Sequence, residues 1–253
     1  DLVAQFPEAV FAGLEDSNHN VRKEALRALG TLEPATIARH ADAVVAMLED
    51  SSAAVRNRAW SVVLKLEPST LAQHANALLA RLDDPDETVR NYALQALERL
   101  QPATLAQYAD AILARLEDSD RRNRDLALEV LSKLEPATLA LYAGAVVARL
   151  QDSDSEVRKS ALVTLCKLEW ARFARLASAV IVCLTDPDEP VRRAAYDTLI
   201  RKIPRHVARD TFHVAMLFMF SDENIWFLQA VRSKLLLGPA WSRLWRSKSL
   251  LGP

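Results

Sequence analysis

Only two cysteines, Cys166 and Cys183, stand in the 253 residues of this chain. Two thiols make neither a disulfide framework nor a four-ligand metal site, and they point to a reducing, intracellular compartment. Glycine is nearly as scarce, with five residues, and aromatics amount to 6%. These shortages disfavour sandwiches and barrels and favour helices. No run of eighteen apolar residues occurs, so no segment is predicted to span a membrane. Phosphate-gripping glycine loops are missing, as are G-x-S-x-G, H-E-x-x-H and C-x-x-C. Cys166 neighbours Lys167 with no histidine nearby in the sequence, a poor setting for a nucleophile. No catalytic residue, metal site or cofactor is therefore expected, and the chain is read as a non-enzyme.

What is present is 50% hydrophobic and 26% charged, the composition of a folded protein rather than a disordered one. The net charge of −1 advertises no nucleic-acid partner. Its distribution is uneven. Residues 1–170 carry 19 Lys and Arg against 26 Asp and Glu, a net of −7, and residues 171–253 carry 13 against 7, a net of +6. The first residue is Asp1 rather than methionine, as in a fragment or a processed chain, so a targeting segment would lie outside it.

Proline falls at Pro34, Pro68, Pro102, Pro136 and Pro204, a spacing of 34 with Trp170 in the one missing slot. Six units in register are expected: 1–34, 35–68, 69–102, 103–136, 137–170 and 171–204. A fixed period of this length marks a supersecondary unit that buries its apolar face only by stacking on copies of itself. Each unit reads as two helices. In the third, Leu71, Ala72, Ala75, Leu78, Leu79 and Leu82 form one apolar face, and Val89, Ala93, Ala96, Leu97 and Leu100 form another. The turn between them, Asp84-Pro85-Asp86, places its second aspartate to cap the following helix. The proline then ends the second helix. Recurring alanines, among them Ala25, Ala59, Ala93, Ala127, Ala161 and Ala195, let neighbouring helices approach closely.

Two charged columns complete the pattern. Aspartate recurs at Asp16, Asp50, Asp84, Asp118, Asp152 and Asp186, and arginine six residues later at Arg22, Arg56, Arg90, Arg124, Arg158 and Arg192. A valine precedes each arginine except Arg124, which follows Asn123. This D-x-x-x-V-R-x-x-A-x-x-x-L signature resembles HEAT repeats, including the shorter HEAT-like variety named after bilin lyases. The likeness among the middle units resembles the long arrays of unicellular algae and other protists. The W-x-x-L-G-x-x-Y of tetratricopeptide repeats and the T-P-L-H of ankyrin repeats are absent. The resemblance implies an all-α fold, a right-handed α/α superhelix of stacked helix pairs. It also implies that the Asp and Arg columns (Asp50, Arg56, Asp84, Arg90, Asp118, Arg124, Asp152, Arg158) form a structural ladder within and between repeats, rather than a row of phosphate grips.

Specific recognition is expected where the copies differ. The resemblance implies that the second helices line the concave face. The position after the ladder arginine reads Lys23, Asn57, Asn91, Asp125, Lys159, Arg193, and the position four residues on reads Arg27, Ser61, Gln95, Glu129, Val163, Asp197. A third column, Thr31, Lys65, Arg99, Lys133, Lys167, Arg201, is basic in all but its first member. These columns are the candidate partner-binding surface, although cations there also complement helix C-termini. On the first helices, His40 and His74 share one column that Tyr108 and Tyr142 continue. With Asp42 as the only nearby carboxylate, a stacked polar and aromatic stripe explains them better than a metal site.

After Pro204 the template decays. Residues 205–238 read as a degenerate seventh repeat, with Phe220 in the aspartate slot and Trp226 in the arginine slot, and 239–253 as a basic tail. Phe212–Phe220 is apolar all round, and Trp241, Leu244 and Trp245 share one helical face beside Arg243 and Arg246. A candidate C-terminal interface therefore comprises Phe212, Phe218, Phe220, Trp226, Trp241, Arg243, Trp245 and Arg246, which cap the array, dock on another subunit or touch a membrane surface. The reading is a non-catalytic protein-binding scaffold or structural subunit of a larger assembly. The alternatives are a bilin-lyase-like protein that handles a tetrapyrrole and a HEAT-like nucleic-acid-binding protein, the latter opposed by the acidic first two thirds.

Overall fold

The prolines, expected to end the second helices, instead begin the first ones, because those second helices stop several residues earlier. Pro34, Pro68, Pro102 and Pro136 occupy first-turn positions, where the missing N–H costs nothing. A computed structural model describes residues 7–202 of the chain. The second helices are α2 (His19–Leu29), α5 (Ala53–Val63), α8 (Glu87–Glu98), α11 (Arg121–Leu131), α13 (Ser155–Leu165) and α16 (Glu189–Lys202). The first helices are α1 (Pro7–Ala12), α3 (Pro34–Ala38) with α4 (Ala41–Ala46), α6 (Pro68–Gln73) with α7 (Ala75–Ala80), α9 (Pro102–Leu105) with α10 (Ala109–Ala114), α12 (Pro136–Ala148), and α14 (Trp170–Phe173) with α15 (Ala177–Val182). Among the described residues there is no strand.

The single first helix expected in each unit is interrupted in most. His40, His74, Tyr108 and Leu176 each leave helical geometry, with φ between −102° and −123°, and split the element in two. Only α12 runs through, and nothing in the structure explains the exception. Every first helix ends in a 3-10 turn, so Leu82, expected on the helix, sits in the turn Arg81–Asp83 and is still buried.

The expected cap is made. Asp86, Asp120 and Asp154 accept from the amides of Thr88, Arg122 and Glu156 at 2.8, 2.7 and 3.0 Å, and Asn18 does the same for Asn20. Each such cap is worth about 1 kcal/mol against alanine.

The core lies between the two helix layers and repeats with the sequence. Leu48, Leu82, Leu116, Leu150 and Leu184 are buried from the 3-10 turns, and Ala59, Ala93, Ala127, Ala161 and Ala195 are wholly buried from the second helices. Burying a leucine contributes about 1.5–3 kcal/mol, so stacking rather than propensity holds these short helices. The companion alanines of the first helices, such as Ala72 and Ala106, are only half-buried.

Successive second helices pack side by side along their length, with one exception: α5 and α8 touch far less than the other four pairs. Trp60, wholly buried, fills the slot that leucine fills at positions 26, 94, 128 and 162, and its ring stacks on Tyr92 with centroids 6.0 Å apart. The indole Nε1 has no hydrogen-bond partner. The two large rings thus meet at the one pair of second helices that touches least.

The chain separates into two units, Asp1–Lys202 and Ile203–Pro253. The C-terminal candidates Phe212, Phe218, Phe220, Trp226, Trp241, Arg243, Trp245 and Arg246 belong to the second and lie outside the described residues.

Candidate interaction surface

The ladder forms the spine of each turn. The carboxylate of Asp118 first closes its own turn by accepting from the Asp120 amide at 2.9 Å. The Arg90 side chain then does two things. Its Nη1 donates to the carbonyls of Asp84 and Pro85 in its own repeat, and its Nε and Nη2 clasp both carboxylate oxygens of Asp118 in the next, at 2.6 and 2.8 Å. The same fork joins Arg22 to Asp50, Arg124 to Asp152 and Arg158 to Asp186. A planar guanidinium meeting a carboxylate through two bonds is the geometry that best offsets desolvation of both charges. At Asp118, burial works to raise the carboxyl pKa, but the bond from Arg90 and the Asp120 amide outweigh it and hold the group below its ordinary range. For Asp50 the bond from Arg22 is the largest influence, and the direction is the same.

One rung departs from the expectation. Arg56 donates to the carbonyls of Asp50 and Ser51 but does not bridge to Asp84, at the seam where α5 and α8 touch least. Arg192 closes its own turn through Asp186 and Pro187, and its Nε has no partner.

A second clamp escaped the sequence reading. Arg81 reaches back to Glu49 at 3.0 Å, Arg115 to Asp83 at 2.9 Å and Arg149 to Glu117 at 2.7 Å, each to an acid 32 residues earlier. Arg115 and Arg149 also donate to the carbonyls of Leu82 and Leu116. The signal was available as a basic column at 81, 115 and 149 facing an acidic one at 49, 83 and 117. The histidine and tyrosine stripe likewise finds partners one repeat back: His74 lies 3.7 Å from Asp42, and Tyr142 bonds Asp110. His40 stacks on Phe11 at 3.8 Å. Among the described residues no group of three histidine, cysteine or acidic side chains could hold a metal. Cys166 is half-buried, and burial pushes the thiol pKa of Cys183 up to about 11.

The variable columns of the second helices divide by what they already touch. Lys65 donates to the Gly30 carbonyl, Arg99 to that of Leu64 and Lys133 to that of Glu98 at 2.9 Å, so these three satisfy the C-terminus of the preceding second helix. In the third unit the polar residues are also engaged. Asn123, in place of valine and wholly buried, donates to the Glu87 carbonyl and accepts from Asn91 at 3.0 Å, and Gln95 donates to Asn91. Asn57 and Ser61 are exposed, Ser61 bonding only the Arg58 carbonyl of its own helix.

The fourth unit is acidic. Asp125 keeps a buried Oδ1 without a partner. Glu129 has its pKa raised, first by burial and then by the charges of Asp125 and Glu98. The last two units are basic. A groove of about 480 Å³ between α13 and α16 is lined by Lys159, Lys167, Arg193 and Arg201, with Val163 and one half-buried carboxylate, Asp197, among them. Lys159 pairs with Glu156, while Lys167, Arg193 and Arg201 make no ion pair among the described residues. Capping in the sixth unit passes to the next residue, Lys202, which donates to the Leu168 carbonyl at 2.6 Å.

No family model and no curated protein sequence matches the chain. Solved structures do. A designed armadillo repeat protein in complex with the peptide (KR)4 superposes with a TM-score of 0.62 at 16% identity, over 77% of this chain and 98% of that one. The archaeal HEAT-like repeats protein from Thermococcus onnurineus NA1 gives 0.60 at 17%, over 79% and 87%. An engineered protein gives 0.60 at 18%, over 77% and 95%. The fold is that of the HEAT-like and armadillo solenoids. In this HEAT-like solenoid the two clamps and the capping cations build the stack, and the residues left over are concentrated on α5, α11, α13 and α16.

Proposed function

We propose that the chain is a non-catalytic scaffold that holds an extended stretch of another protein along the concave face of its second helices, with residues 205–253 as a second contact. One observation carries the reading. Ladder, clamps and caps are repeated with little change, whereas the outward columns beside them change charge from unit to unit, from Asn57 and Ser61 through Asp125 and Glu129 to Lys167 and Arg201. A surface that varies on a frame that does not is what selective recognition by a repeat array requires. That a designed armadillo protein of similar fold was solved with a peptide supports the reading by analogy of fold. Polar and charged columns on adjacent helices suit the alternating side chains of an extended peptide.

The test compares affinity capture by the full chain with capture by an Asn57→Glu/Ser61→Glu variant of unchanged melting temperature. A partner held by the first and lost by the second supports the assignment. Retention of every partner by the variant moves the contact off this face.

A further inference from the structure

Resting on that reading, we propose that the groove between α13 and α16 seats an acidic stretch of extended polypeptide carrying an aliphatic residue, whose flanking basic residue meets Asp125 and Glu129 on α11. The chemistry begins with cations that have no internal task. Lys65, Arg99 and Lys133 are held by carbonyls of the preceding helix. Among the described residues their successors Lys167 and Arg201 make no such bond, Lys202 capping Leu168 in place of Arg201. Arg193 adds a third exposed cation, and Val163, 51% exposed, offers an apolar contact between them. One carboxylate, Asp197, also lines the groove, so the three cations leave it with an excess of positive charge around Val163 that suits carboxylates spaced about one aliphatic side chain.

The occupant follows from charge. Residues 203–253 carry seven Lys and Arg against three Asp and Glu, a net of +4, the same sign as the groove, so charge complementarity favours a separate, acidic chain as the occupant. A nucleic acid is disfavoured by the neighbouring helix. Asp125 and Glu129 stand one helix further along, where a continuous polyanion would meet like charge, and the unpartnered buried Oδ1 of Asp125 calls for a donor. A peptide can change sign along its length. Stacked helices lie about 8–10 Å apart and an extended chain advances about 3.3 Å per residue, so each helix is crossed in about three residues. The pattern is two acids three residues apart, for α16 and α13, and a base three residues beyond, for α11.

Fluorescence anisotropy with the labelled peptide Glu-Ser-Leu-Glu-Ser-Ser-Lys on the full chain tests this. We expect binding that weakens with salt, at least tenfold weaker binding of the charge-reversed Lys-Ser-Leu-Lys-Ser-Ser-Glu, and a loss of at least tenfold in Arg193→Glu/Arg201→Glu. Arg172→Ala, which removes an exposed cation from a first helix, should leave affinity unchanged. Equal binding of the two peptides, or binding that survives Arg193→Glu/Arg201→Glu, overturns the assignment. So does a duplex oligonucleotide that displaces the peptide and is itself lost in the double variant. If the peptide fails while capture through Asn57 and Ser61 persists, the scaffold reading stands and the groove assignment falls.

Discussion

Arg56 and Asp84 stand at the same register as four bridged pairs of the ladder, yet no bond joins them. Arg56 Nη1 donates to the Asp50 and Ser51 carbonyls, and the Asp84 carboxylate, among the described residues, accepts only from the Asp86 amide. The break coincides with the sparsest contact between successive second helices, where Trp60 stacks on Tyr92. We expect the bulk of Trp60 to be what keeps this rung open. In wild type, Arg56→Ala should destabilise less than Arg90→Ala. In a Trp60→Leu background, where α8 can close on α5, Arg56→Ala should become more costly. Denaturant unfolding of the four proteins gives the coupling, expected at about 0.5–3 kcal/mol. A coupling of zero would show that ring size is not what holds the rung open.

Arg90→Ala itself should lower stability by about 1–3 kcal/mol, because it strands a carboxylate that is 1% exposed. Melting curves check this, and affinity for a partner of the second-helix face should change little. Asp118→Asn should be milder, since an amide oxygen still accepts from Arg90.

Much of this was legible in the sequence. The 34-residue period announced the stacking and the second turn aspartates their caps, but the prolines, read as ends of the second helices, begin the first helices of the next units instead. Contacts between repeats were harder to read. Arg115 meets an acid 32 residues back, Lys133 a carbonyl 35 residues back, and Lys202 replaces Arg201 in a role that position alone would give to Arg201. A column of like residues shows that a position matters, but not whether its side chain points at the neighbouring helix or at solvent. The break of the first helices at His40, His74, Tyr108 and Leu176 was invisible for a related reason, since their apolar spacing continues across it.

Acid should expose the ladder. Asp50, Asp118 and Asp152 all have carboxyl pKa values held below the ordinary range in the folded chain. A lowered folded pKa contributes stability that is present above the unfolded value, about 3.9, and is lost as pH falls through the folded one. Stability should therefore be nearly constant near neutrality and decline below about pH 4, with a shallower decline in Asp118→Asn. Glu129 works in the opposite sense. Its raised pKa means that stability present below its unfolded value is lost as pH rises through the folded one, so Glu129→Gln should gain stability at neutral pH. A Glu129→Gln protein less stable at pH 7 would mean that the carboxylate is held by contacts the charge environment does not reveal.

The seam at Trp60 should also divide the array in unfolding. In a solenoid each repeat is stabilised mainly by its neighbours, so cooperativity passes from unit to unit through the interfaces and ends where an interface is weak. Between the second and third units the weak interface combines an open rung, a buried indole N–H without a partner and little helix contact, although Arg99 still caps the Leu64 carbonyl and Arg81 still reaches Glu49. From α8 to α16 every interface has a clasped rung, at Asp118, Asp152 and Asp186. Native-state hydrogen exchange should accordingly show two blocks. Amides of α2 and α5 should open together at a lower free energy, and those of α8, α11 and α13 together at a higher one, with the step falling between residues 66 and 87. Trp60→Leu should shrink the step if the helices close. A single uniform protection level from α2 to α16 would show that the caps and the Arg81 clamp carry cooperativity across the gap unaided.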